Sequence, residues 1–278
     1  KALLATLRPD DKVLVLITRN YGVSDPILNM GIPELLLERG YKVITLSHLP
    51  GHALDISDEY DNLYYPFGQH ILSGAKLIAH HPNLYAVYLT NHGCGPDTML
   101  SHLFKQEMGD KPYLQIEVDE HFSNVGVITR IEAFLNSLSH RPVEVLPKDF
   151  VLEQVEIHPC HLPAVPEKDF PLWLPPLGEY TASLTGYFRA QGVDAHALPH
   201  LSAHALSLGR AETSAKEYLP FPALLGGILA QQEVDPAPAQ FLIPQTQGAE
   251  ADGQYARVIR AVLDRRGNQS AKLVSPML

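Results

Sequence analysis

Cys94 is the side chain whose setting most invites chemistry. It stands in Thr90-Asn-His-Gly-Cys-Gly-Pro-Asp97, directly after an apolar run. Gly93 and Gly95 permit tight backbone on either side of the thiol, and Pro96 and Asp97 suit the first turn of a helix. A thiol at the positive end of a helix is favoured as thiolate, the form that binds metal or attacks an electrophile. The plainer reading is a small buried residue in a tight turn. Cys94, Gly93, Gly95 and Asp97 form the candidate cofactor-binding set, with Cys94 as its metal ligand.

A second group follows the next apolar run, in Glu117-Val-Asp-Glu-His-Phe122, with Thr129-Arg-Ile-Glu132 close behind. Ionisable groups crowded at a strand end are costly if buried unpaired. Asp119, Glu120, His121, Arg130 and Glu132 therefore read either as a carboxylate and imidazole set for proton transfer or metal binding, or as a salt-bridged helix cap with Arg130 neutralising a carboxylate. Two further polar, glycine- or serine-bearing loops, 213–220 and 245–255, occupy corresponding places later in the chain. His158-Pro-Cys-His161 offers zinc-type donors but lacks a second pair at finger spacing. Phosphate-loop, dinucleotide and serine-hydrolase signatures are absent from the sequence.

These loops need elements to hold them. Lys12 to Thr18 is a short continuous apolar run, as a strand covered on both faces requires. Helix spacing follows over Asp25 to Arg39, ending at Gly40, then strand 41–46, helix 68–79, strand 84–90, helix 97–107, strand 113–118 and helix 129–138. A second alternation gives strand 172–174, helix 179–191, strand 193–198, a helix over 215–231 broken at Pro220 and Pro222, strand 240–243, helix 254–266 and strand 271–275. Alternating strands and helices predict α/β architecture: two doubly wound, Rossmann or flavodoxin-like parallel-sheet lobes facing a cleft. Ligands in such sheets bind outside the carboxyl ends of the strands, which is where Cys94 and the Asp119-Glu-His121 group fall. The expected divisions are a first lobe over 1–141, a proline-rich connector over 142–170 and a second lobe over 171–278.

The 278 residues carry a net charge of −10, with 45% hydrophobic residues. An acidic field repels phosphate backbones, so nucleic acid is not an expected partner. The longest apolar runs fall far below the roughly 20 residues of a membrane span, so no membrane is expected either. Cys94 and Cys160 are the only cysteines, which argues against a disulfide-built secreted scaffold and for a cytoplasmic protein, and excludes a four-cysteine metal site within the chain. The sequence opens inside a helical pattern without Met and stops without a terminating signal, as expected of a segment of a longer, multidomain polypeptide.

Taken together, Leu89-Thr-Asn-His-Gly-Cys-Gly-Pro-Asp97, Lys111-Pro-Tyr-Leu-Gln-Ile-Glu-Val-Asp-Glu-His121 and Gly126-Val-Ile-Thr-Arg-Ile-Glu-Ala-Phe134 resemble the family of activators of (R)-2-hydroxyglutaryl-CoA dehydratase, and in particular the dehydratase-like part of large activase-related proteins. Weaker likeness extends over Asp25 to Gly31, Tyr65 to Gln69, Trp173-Leu-Pro-Pro176, Leu208-Gly-Arg210, Lys216-Glu217, Phe221 to Gly226, Phe241 to Gln245 and Gly253-Gln-Tyr255. The resemblance implies α/β lobes around a 4Fe–4S cluster held by cysteines, an ATP-binding activase domain or subunit as electron-donating partner, an acyl-CoA as substrate, and lyase-type loss of water in anaerobic metabolism. The family's second-lobe cysteines are missing here: Tyr218 stands in one place, and Ala249, Glu250 and Ala251 occupy the other region.

Three readings follow from that departure. The chain is a component of a 2-hydroxyacyl-CoA dehydratase/activator system with an incomplete or shared cluster; or it is a cluster-free scaffold or binding domain of the same family; or it is a small-molecule enzyme using Cys94 with His92 or His121 as base.

Overall fold

Val13, Leu14, Val15, Leu16 and Ile17 are each at most 1% exposed, which a strand achieves only when both faces of its sheet are covered. The computed structural model describes residues 6–8, 10–19, 22–23, 25–63, 65–91, 94–118, 124–141, 155–159, 161–178, 180–214, 216–245 and 251–276. They form an α/β protein that divides at His158/Pro159 into two units, each with its own four-stranded parallel sheet.

In the first unit the elements run β1 (Val13–Ile17), α1 (Ile32–Glu38), β2 (Lys42–Thr45), α2 (Pro66–His80), β3 (Leu84–Asn91), α3 (Gly95–Met108), β4 (Leu114–Val118) and α4 (Asn124–Ser139). The strand order is β2-β1-β3-β4, with Val13 opposite both Lys42 and Leu84, and Val87 opposite Leu114. Side chains alternate across β1. Leu14 and Leu16 join Ile32 and Leu36 of α1 and Ile131, Leu135 and Leu138 of α4 in one core, while α2 and α3 pack together on the other face. Each fully buried Leu or Ile contributes about 1.5–3 kcal/mol from leaving water.

The second unit repeats the plan with β5 (Leu172–Leu174), α5 (Tyr180–Ala190), β6 (Ala195–Ala197), α6 (Ala203–Ala211), α7 (Pro220–Val234), β7 (Ala239–Leu242), α8 (Tyr255–Arg265) and β8 (Ala271–Val274). Its order, β6-β5-β7-β8, is the same winding, although the sequence shows no repeat between the halves. In both sheets the order reverses between the first and third strands, the place where this architecture opens a crevice.

Three expectations need correction. The helix read from Asp25 begins only at Ile32, because Asp25 Oδ1 accepts the N–H groups of Ile27 and Leu28 and Asn29 Oδ1 accepts that of Gly31, holding 25–31 in turns. Met30 and Gly31, at φ 59° and 64°, are left-handed and cannot continue a helix. The helix read as broken over 215–231 is the continuous α7, with Pro220 and Pro222 in its first turn, where proline removes no internal hydrogen bond. Finally, α6 was not anticipated. It lies so close to α7 that a Cβ on Gly209 would come within 1.8 Å of the Pro222 carbonyl oxygen, and one on Gly226 within 1.9 Å of the Ala205 carbonyl oxygen. Glycine at both positions is a condition of that packing.

The proline-rich segment is shared between the units. His158 N–H donates to Glu59 Oε2 at 3.3 Å in the first, and Ser275 N–H donates to the Pro163 carbonyl at 2.7 Å in the second. No helix among the described residues is long and apolar enough to cross a membrane.

Candidate functional site

The carboxyl ends of β1 and β3 converge because the two strands are hydrogen-bonded neighbours, Ile17 opposite Tyr88. Arg19 leaves β1 there, and Cys94 and Asp97 enter α3 there. Cys94 is the residue before the first turn of α3, with extended backbone, and its carbonyl accepts the Thr98 N–H at 3.1 Å. Arg19 Nη2 donates to Cys94 Sγ at 2.6 Å and to Asp97 Oδ1 at 3.0 Å. The other carboxylate oxygen, Asp97 Oδ2, accepts from the Asn91 backbone at 2.9 Å and from Asn91 Nδ2 at 3.3 Å. Asp97 is therefore no helix cap. It clamps the guanidinium against the thiol while 4% exposed.

Phe67, in the first turn of α2, supports the arginine from below, its ring centroid 4.6 Å from the guanidinium carbon. Tyr88, buried on β3 against the Phe104 ring at 4.6 Å, has its hydroxyl held well above the usual tyrosine range, first by burial and then by the Asp97 carboxylate. Arg19, fixed by Asp97, also borders a cavity of about 420 Å³, so the same guanidinium faces the cysteine and the cavity. Thr18, Arg19, His52, Phe67 and His70 line that cavity at the ends of β1 and β2. His52 and His70 stack with ring centroids 3.9 Å apart, and burial, with the neighbouring imidazole, lowers the His70 pKa.

The other expected residues fall in three groups: some outside the described residues, some elsewhere in the first unit, and Gly95 beside Cys94. Asp119, Glu120, His121, His92 and Gly93 lie outside the described residues. Arg130 Nη2 donates to the Gln115 carbonyl at 2.6 Å, along the flank of β4. Glu132 pairs with Arg39 at 2.5 Å, and Arg39 lies just before the amino end of β2, away from the strand ends that hold Cys94. Both side chains tie α4 to its neighbours through exposed polar contacts. Gly95 is the first residue of α3. In the second unit Glu217, 8% exposed, accepts the Ser214 and Lys216 N–H groups and shapes the turn before α7. His158 faces Glu156 at 3.6 Å with most of its side chain in solvent, and Cys160 lies outside the described residues.

The donor set does not fit a 4Fe–4S cluster. A cubane requires about one protein ligand, usually thiolate, per iron. Cys94 already faces a guanidinium, Tyr218 is a hard oxygen donor that is 44% exposed, and among the described residues no group of three or more His, Cys, Asp or Glu could hold a metal ion. Ala249 and Glu250 lie outside the described residues, and alanine at 249 and 251 offers no donor.

Sequence reasoning missed Arg19, His52 and His70. Arg19 was the findable one, being a charged residue two positions past a fully buried strand. The class defined by fold and site is an α/β protein of two flavodoxin-like lobes with a cysteine and arginine pair at the first lobe's strand ends. No family model, curated protein or solved structure matches the chain.

Proposed function

We propose that the chain is a dehydratase-like domain that serves a 2-hydroxyacyl-CoA dehydratase/activator system without a cluster of its own, acting as the binding partner of the ATP-dependent activase. The observation that carries this reading is the 2.6 Å contact between Arg19 Nη2 and Cys94 Sγ. A guanidinium supplies the positive charge that a cluster iron would bring to that sulfur, and Asp97 fixes it there. The family-like strings around Cys94, Asp119 and Thr129 support membership of the system, and the replaced second-lobe cysteines support the loss of the cluster. In this role the strand ends hold an anionic group of a small molecule or of the partner, between Arg19 and the His52 and His70 side of the polar cavity.

Affinity capture with the activase in its nucleotide-free, ATP and ADP states tests the partnership, and anaerobic reconstitution with iron and sulfide tests the cluster. The expected result is association that changes with nucleotide, and less than about a tenth of a four-iron cluster per chain, equal in wild type and Cys94→Ser. Failure to associate in every nucleotide state overturns the partnership. Near-stoichiometric iron that disappears in Cys94→Ser overturns the cluster-free reading.

A further inference from the structure

We propose that the second unit carries a small-molecule site of its own, for a compact apolar molecule whose polar end is a hydrogen-bond donor. The site is a cavity of about 440 Å³ at the carboxyl ends of β5, β6 and β7, where the strand order reverses. It lies wholly within the second unit, so it does not depend on the dehydratase reading.

The lining decides the ligand class. Pro175 and Pro176 follow β5, Pro199 follows β6, Pro244 follows β7 and Pro220 begins α7, so five fixed rings frame the opening. Such walls lose little entropy when a ligand enters, and a site already formed loses less of its binding energy to ordering. Leu198, Leu224 and Ile243 supply the apolar interior. A volume in this range accepts a molecule of roughly 10–20 heavy atoms, most of whose surface leaves water.

Charge then selects among apolar molecules. Asp252 is the only charged side chain among the described residues that line the cavity, and Tyr255 is its other polar wall. The Tyr255 ring is itself packed on Phe221, with ring centroids 5.0 Å apart. A carboxylate at an apolar wall repels carboxylates and phosphates and attracts hydroxyl or ammonium donors.

The back wall is held by the helix pair α6 and α7. The Gly209 and Gly226 contact fixes α7 against α6, and Gly227, the next residue, faces the cavity. A Cβ at Gly227 would meet only Leu198 Cδ1, at 3.8 Å, an ordinary contact. A side chain added there starts from a position that lines the cavity.

The test is ligand-observed NMR titration of the full chain with 4-phenylbutan-1-ol, 4-phenylbutylamine and 4-phenylbutyrate, three probes of one shape that differ in the charge of the polar end. The alcohol and the amine are expected to bind saturably at one site, and the butyrate at least about tenfold more weakly. Gly227→Leu is expected to abolish binding with an unchanged circular dichroism spectrum, and Asp252→Asn to narrow the gap between alcohol and butyrate. If Gly227→Leu perturbs folding, Gly227→Ala, which adds only the tolerated Cβ, is expected to weaken binding severalfold. Absence of saturable binding, binding indifferent to both Gly227 variants, or butyrate binding as tightly as the alcohol overturns the proposal.

Discussion

Arg19 and Cys94 are separated in sequence by α1, β2, α2 and β3, yet the arginine's Nη2 lies 2.6 Å from the cysteine's sulfur because β1 and β3 are adjacent strands that end together. Asp97 makes the pair a triad. Removing the arginine alone leaves a carboxylate that is 4% exposed without its cation, and Arg19→Ala is expected to cost about 2–4 kcal/mol. Asp97→Asn in the same chain should recover part of that loss, with a coupling of at least about 1 kcal/mol in a double-mutant cycle from urea melts. Additive losses would show that the ion pair contributes nothing of its own.

Lys76 sits 4% exposed on α2, between Glu59 at 2.8 Å and Glu107 at 2.9 Å, with the Tyr60 hydroxyl also donating to Glu107. One cation thus serves two buried carboxylates. Lys76→Met should cost about 3–5 kcal/mol by leaving both uncompensated. Lys76→Met combined with Glu59→Gln and Glu107→Gln should be less destabilised than Lys76→Met alone, read as midpoints of chemical denaturation.

His81 ends α2 at 8% exposure, its Nδ1 accepting the Asn83 N–H at 3.3 Å, while the Lys111 ammonium donates to its carbonyl. Burial, aided by the Lys111 charge, lowers its pKa to about 4 from 6.5. The unfolded chain therefore binds a proton that the folded chain refuses. The stabilising effect is complete above about pH 6.5 and is lost as pH falls toward 4, by about 3 kcal/mol in all. Thermal melts of His81→Gln should lose this share of the acid sensitivity between those values. An unchanged slope would assign it elsewhere.

Gly209 and Gly226 each leave room for a carbonyl of the facing helix. Gly226→Ala must push α6 and α7 apart and is expected to cost about 3 kcal/mol or more. Hydrogen exchange should show lost protection in α6 and α7 with the first unit's β1 unchanged. Gly227→Ala, one residue on, should be neutral or slightly stabilising because helix propensity rises without a clash.

Buried parallel strands were readable because each must be apolar on both faces: Val13–Ile17, Leu84–Asn91 and Leu172–Leu174 stand out as runs. α6 was not, since it packs through glycine and alanine backbone and so lacks the apolar stripe that marks a helix in sequence. The start of α1 was obscured because the turn chemistry of Asp25 and Asn29 sits inside apparent helical spacing. At the site, the place of Cys94 could be inferred from the strand before it. Arg19 stands out as a charge just past a buried strand, but its pairing with Cys94 could not be read, because a lone arginine after β1 shows nothing of which strand end it will meet.

The repeated strand order gives the two sheets one scaffold and two unlike mouths, one edged by arginine and imidazoles and the other by prolines and aliphatic side chains. Topology is thus decoupled from solvent preference. For protein engineering each mouth is a separate address: residues such as His52 and Gly227 can be varied to retune one ligand without drawing on the side chains that define the other.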